Sequence, residues 1–226
     1  MIRTGAALSI AVSSEAGSER HTSPNKYWKI FPWSSVAAFF PHLYYGSLVE
    51  LGRETDENIG FFCTSPSWGG LEINVLRLAR WLAARRHRVT LLVPEGTPLH
   101  REALLAGCPV GVVAQHKKYF DIAAAVRLRA TLRQIGVPTV FVFHRDDMDV
   151  MAWVKLIGGR SLTLIFKQHM QLGVSRRDPV HALRYARDDS WISPLEGLRA
   201  EVLAKTFIPP EKIHVIPLGV DPDHLA

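Results

Sequence analysis

From residue 59 onward, short apolar runs rich in β-branched residues recur along the chain. They lie at 59–63, 89–93, 110–114, 140–144, 162–166, 191–193 and 213–216, and successive runs begin 21 to 30 residues apart. Between most of them the period changes to that of a helix. The clearest case is 71–86, where Leu71, Val75, Leu78, Ala79 and Leu82 fall on one face. Stretches 121–135 and 194–206 are the next clearest. A strand every few turns of helix is the sequence form of repeated βα units. Runs apolar throughout, rather than alternating, predict strands buried on both faces. The expectation is a doubly wound α/β domain: a mainly parallel, Rossmann-like sheet of about seven strands with helices on both faces.

The first 57 residues read differently. Residues 1–26 are rich in Ser, Ala, Gly and Thr without lasting periodicity, and are expected to be mobile. Residues 27–51 are aromatic and apolar, and are expected to dock on another surface. Residues 52–58 (GRETDEN) are polar and read as a linker. The apolar run near the start lacks a cleavage-like site, so no signal peptide is expected. Residues 33–51 contain Pro41 and His42 and suit a membrane span poorly. The organisation expected is an N-terminal extension, 1–57, and one Rossmann-like domain, 58–226.

Composition narrows the classes. Hydrophobic residues make up 47% and charged residues 21% of 226, which excludes a disordered chain or a coiled coil. Two cysteines, Cys63 and Cys108, exclude a disulfide scaffold. Both lie in apolar stretches and read as buried thiols, which suits a cytoplasmic protein. The net charge is +6. Residues 1–57 hold 5 Lys/Arg against 6 Asp/Glu, of 27 and 21 in all, so the remainder holds 22 against 15. A basic second part suits phosphates or anionic lipid. Basic and aromatic residues do not interleave as single-stranded nucleic acid requires, so no nucleic-acid partner is expected.

Open parallel sheets bind ligands beyond the C-terminal strand ends, so the chemistry is sought there. After the first run come Trp68, Gly69 and Gly70. Paired glycines before a helix let a ligand approach the backbone, and the free N–H groups of the first turn can receive an anion. Glu72, in the same turn, would cap the helix and repel an anion placed too close. GxGxxG is absent, and Glu95 reads as a loop acid rather than a ribose-binding one. After the fourth run stands His144, which can bind a hydroxyl or exchange a proton near neutral pH, or be satisfied by nearby backbone. Asp147 and Asp149 read as helix-capping acids, so no metal is expected. After the fifth run, His169 and Gln171 are polar contact candidates. Asp178–Pro179 reads as a cap and first helical residue, and Ser193 with Glu196 as a capping box. The basic run 85–88 belongs to the opposite edge, as a structural or membrane-facing feature.

The string WGGLEINVLRLARWLAARRHRVTLLVPEG (68–96) resembles the opening βαβ unit of GT-B glycosyltransferases of family 4. The string EKIHVIPLGVDPDHL (211–225) is similar to the last strand of that family's N-terminal domain. The resemblance covers 58–226. It implies transfer of a sugar, as by a hexosyltransferase, from a nucleotide-sugar to a glycan or lipid-linked acceptor in polysaccharide biosynthesis. It also implies retention of configuration and no metal or other cofactor. Gly69 and Gly70 match the family's glycine loop near the donor phosphates, and His144 and His169 match family positions by place in the fold. The donor-binding C-terminal domain, with its paired glutamates, is not found within these residues. A half-cleft with little activity of its own is therefore expected, to be completed by that domain or a partner chain. The expected location is cytoplasmic, with peripheral contact at the inner face of the membrane left open. Two alternatives stand beside it: a non-catalytic binding module of the same fold, and another Rossmann-type enzyme such as an NAD(P)-dependent oxidoreductase.

Overall fold

A computed structural model describes residues 58–219, apart from Tyr119 and the side chain of Arg160. The expectations for 1–57 lie outside the described residues. Seven strands form one parallel sheet: β1 (Asn58–Phe62), β2 (Arg88–Pro94), β3 (Val110–Val113), β4 (Thr139–Val142), β5 (Thr163–Lys167), β6 (Ser190–Ser193) and β7 (Ile213–Val215). Their order is β3-β2-β1-β4-β5-β6-β7. The chain winds outward from β1 in one direction and then from β4 in the other, so the strand order reverses between β1 and β4. All seven strands fall on the predicted runs.

Six α-helices cover the sheet: α1 (Gly70–Ala84), α2 (Pro98–Leu105), α3 (Ile122–Gln134), α4 (Asp147–Gly158), α5 (Pro179–Tyr185) and α6 (Glu196–Lys205). Alternate residues of each strand feed two cores. Phe61, Phe141, Phe143, Ile165 and Ile192 pack with Val75 and Ala79 of α1 and with Leu99 and Ala103 of α2. Phe62, Val142, Leu164, Phe166 and Trp191 pack with Leu128 of α3, Met151 and Val154 of α4, and Val202 of α6. Two helices on one face and four on the other make the doubly wound architecture. Gly60 marks a tight spot in β1: a Cβ there would stand 2.8 Å from Val137 Cγ1 and 3.0 Å from Leu92 Cδ1.

Helix starts follow local chemistry in part. Asp121 accepts from the Ala124 N–H at 2.9 Å, and Asp178, before Pro179, accepts from the His181 N–H at 3.1 Å. Two expected caps are not made. α4 has no side-chain cap; Asp147 turns to Thr64 and His116, and Asp149 pairs with Arg184. α6 begins after Leu195, again without a side-chain cap, and the Ser193 hydroxyl donates to Gln168 Oε1 at 2.7 Å instead. The reason is common to both cases. Asp147 and Ser193 are fully buried, and a buried polar group must find its partner inside the protein.

Cys63 is buried and free, and burial pushes its thiol pKa up, with Asp147 adding to the effect. Cys108 is free but only partly buried, which corrects the expectation of two buried thiols. The basic run after α1 serves the helix end, where Arg85 donates to the Trp81 carbonyl at 2.9 Å. Glu95 is exposed in the turn after β2. No helix among the described residues is long and apolar enough to cross a membrane.

Candidate active site

β1 and β4 are neighbours, so the loops leaving their C-terminal ends diverge to opposite sides of the reversal point. Between these loops lies Asp147, fully buried at the start of α4. Its carboxylate accepts from the Thr64 backbone N–H at 2.9 Å and from the Thr64 hydroxyl. His116, which lies beyond β3, brings Nε2 to 2.9 Å of the same carboxylate. His144, just beyond β4, brings Nδ1 to 3.7 Å, ion-pair range rather than hydrogen-bond range. Four groups from three loops thus converge on one carboxylate.

The protonation states are set by the partners. His116 Nδ1 stands 3.2 Å from the Lys117 carbonyl and its Nε2 faces Asp147. Both partners accept only, so both ring nitrogens carry protons and the imidazole is charged. Burial works against that charge, but the Asp147 hydrogen bond, its charge and the Lys117 carbonyl outweigh it and raise the pKa. Burial likewise opposes the Asp147 charge, and the bonds from His116 and Thr64, with His144 close by, reverse the effect, holding its pKa below the usual range. His144 is held up by Asp147 against its own burial, with Asp146 and Glu72 adding to the field.

β5 supplies the opposite chemistry. His169 is pushed down to about 4 by burial and by nearby Lys167, so it is neutral near pH 7. Its Nε2 has no hydrogen-bond partner among the described residues, and its ring lies 5.8 Å from that of Phe143. Next to it, Gln168 is a structural clamp: Oε1 accepts from Trp191 Nε1 at 3.1 Å and from Ser193, and Nε2 donates to the Met170 carbonyl at 3.0 Å.

His144, His169 and Gln171 line one cavity of about 130 Å³, together with Leu71, Phe143 and Asp146. Three of the six residues singled out in the sequence therefore meet at the C-terminal strand edge. Gly70 opens α1 beside Leu71, and a Cβ there would meet nothing within 4 Å. The Gly69 N–H is already taken, by Glu72 Oε2 at 2.8 Å. Trp68 lies elsewhere, lining a separate hollow with Ile73, Arg77 and Trp81 on the outer side of α1. His116, Thr64 and Asp147 were not singled out for chemistry. A histidine just after β3 was the available signal for His116; Asp147 was hidden by its resemblance to a cap.

The model of Glycosyltransferase Family 4 matches residues 68–224, more than half of the chain and all but the last residue of the two similar strings. The chain belongs to glycosyltransferase family 4. The fold agrees with solved GT-B glycosyltransferases. A glycosyltransferase from Rickettsia africae is similar at TM-score 0.60 and 17% identity, over 75% of this chain and 45% of that one. HepE from Anabaena, in complex with UDP and glucose, is similar at TM-score 0.57 and 15% identity, over 72% and 45%. The apo lipopolysaccharide outer core galactosyltransferase WaaB is similar at TM-score 0.57 and 13% identity, over 73% and 46%. The chain thus spans a little under half the length of these structures. A search among curated proteins by sequence found no match. Within a family 4 domain, the reversal point between β1 and β4 is where a ligand is expected to meet the sheet.

Proposed function

We propose that this family 4 chain forms the acceptor-side wall of a glycosyltransferase. It would transfer a hexosyl group from a nucleotide-sugar to a glycan or lipid-linked acceptor, with retention and without metal or organic cofactor, in polysaccharide biosynthesis at the cytoplasmic side of a membrane. The observation that carries this reading is the meeting of His144 and His169 in one cavity at the strand edge. Their raised and lowered pKa values make them complementary. His144, its proton favoured by the nearby Asp147, donates a hydrogen bond to an oxygen; neutral His169 accepts one through its unpartnered Nε2. Together they can grip a sugar hydroxyl from both sides, with Gln171 as a third contact. Asp147 holds the buried Nδ1 side of His144, leaving Nε2 for the ligand.

Transfer develops positive charge on the sugar and negative charge on the leaving phosphate, and fixed dipoles stabilise these only where water is excluded. A strand edge open on one side does not exclude water. Residues 58–219 therefore require an opposing wall, from a second domain or a partner chain, for measurable turnover. In the enzyme completed by that wall, His144→Ala is expected to lower kcat/KM about 100-fold. Unchanged transfer kinetics in that variant would overturn the reading and favour a binding module of the same fold.

A further inference from the structure

α4 and α5 both begin at the strand edge that carries His144, and a shallow apolar groove runs between them. Trp153 and Leu156 of α4 and Val180 and Leu183 of α5 line it, and Phe120 closes one end with its ring 5.9 Å from that of Trp153. These are not core residues: Phe120 is 73% exposed, Leu183 56%, and Leu156 and Val180 48% each. A groove of about 100 Å³ is far smaller than a pocket for a drug-sized ligand, so its natural occupant is a surface rather than a molecule. Adjacent exposed apolar side chains of this size mark such surfaces.

Charge identifies the surface. The groove is bordered by Arg184 and Arg187 and contains one acid, Asp149, which Arg184 neutralises in an ion pair. Arg187 forms no ion pair among the described residues. An apolar strip with an aromatic tip and an uncompensated arginine is complementary to an anionic lipid interface, where apolar side chains enter the acyl boundary and cations remain among the headgroups. The far end of the described chain does not cover the groove. Gly219 stands against Trp81 of α1, on the opposite face of the sheet.

We infer that the α4–α5 groove docks this protein on an anionic membrane surface. The orientation places the cavity of His144 and His169 beside the interface, within reach of an acceptor carried on lipid. This deepens the proposed function by naming its surface, and its test uses no sugar.

The test is co-sedimentation of the full chain with phosphatidylcholine vesicles, with and without about one third phosphatidylglycerol, at low and high salt. The wild-type chain is expected to pellet with anionic vesicles at low salt, to be released as salt screens the attraction, and to ignore neutral vesicles. Leu183→Glu and Leu156→Glu, both at exposed positions and each checked for an intact fold by circular dichroism, are expected to weaken binding about 10-fold. Leu105→Glu, on the far side of the sheet and 82% exposed, is expected to bind as wild type. His144→Ala is also expected to bind as wild type, so loss of transfer and loss of docking are separable. Wild-type protein that stays in the supernatant at low salt overturns the inference, as does a Leu183→Glu chain that pellets normally. A dimer in sedimentation velocity that Leu183→Glu splits would assign the groove to a second copy instead and also overturn it.

Discussion

The two halves of the strand edge are built on opposite rules. At the β1–β4 reversal the buried carboxylate is answered several times over: Asp147 accepts from Thr64 and His116 and faces His144, whose Nδ1 stands 3.7 Å away in an ion pair without a hydrogen bond. At the end of β5 the buried groups are left open. Lys167 Nζ and His169 Nε2 have no hydrogen-bond partner among the described residues, although Gln168 between them has all it needs. A satisfied buried network fixes geometry; an unsatisfied buried group costs stability and is retained only where something else meets it. On the proposed function, the first half positions His144, and the second half is the side that meets a ligand or another part of the protein.

The sharpest way to break the comparison is to make the first half resemble the second. Asp147→Ala removes the shared acceptor and strands the Thr64 N–H, the Thr64 hydroxyl and His116, whose side chain is 4% exposed. Breaking a buried pair from one side costs about 3–5 kcal/mol. Urea unfolding of the variant is expected to show a loss of that size, a large share of the stability of an ordinary domain. A loss under about 1 kcal/mol, within the range for surface pairs, would mean that the network is not the keystone of the edge.

The converse change acts on Lys167, which is 8% exposed at the end of β5 and lines a cavity with Leu78, Trp81, Ile192 and Leu218. Burial lowers its pKa from 10.5 to about 8. The unfolded chain holds that proton more tightly, so the lysine opposes folding by about 3 kcal/mol at pH 7. Lys167→Met, similar in volume and without charge, is expected to stabilise the protein by up to that amount. The gain is present in full below about pH 8 and vanishes as pH rises towards 10.5. If the variant is instead less stable, an acid outside the described residues already pairs with the amine, and the openness of this half is lost.

The comparison also explains what could be read along the chain. The seven strands and the helix over 70–84 were legible because apolar periodicity is a local property, recorded residue by residue. The positions of His144, His169 and Gln171 were legible because a parallel sheet sends each strand's next residues to one edge. The role of Asp147 was not. Its partners lie 83 and 31 residues away in sequence, and a carboxylate at a helix start has the same letter whether it caps its own helix or reaches across to β1. Ser193 failed in the same way, since its partner Gln168 lies 25 residues away, just past the end of the neighbouring strand β5. Long-range polar partners are decided by strand order, and strand order is not written in any local window. Trp68 shows the remaining limit: being next to Gly69 in the chain did not place its ring in the same hollow as His144.

The smallest expected effect isolates His116 within the satisfied half. Its pKa is raised above 6.5. A base with a raised folded pKa contributes stability that is complete below its unfolded pKa and is lost as pH rises through the folded one. Asp147, with a lowered pKa, contributes above 3.8 and loses its share only as pH falls below that value. The stability difference between wild type and His116→Gln is therefore expected to be greatest near about pH 5 and to shrink steadily above 6.5. His169, depressed to about 4, imposes the opposite slope between 4 and 6.5, where the unfolded chain binds its proton more tightly. That slope is common to both proteins and cancels in the difference. The groups facing His116 are Asp147, Thr64, the Lys117 carbonyl, Asp121 and the Phe62 ring, and among these the two carboxylates remain charged throughout the window. A difference that instead rises with pH up to about 6.5 would mean that His116 is neutral in the folded protein, because the unfolded chain would then hold its proton more tightly. The carboxylate between the two imidazoles would then hold one charged histidine rather than two, and that one would be His144.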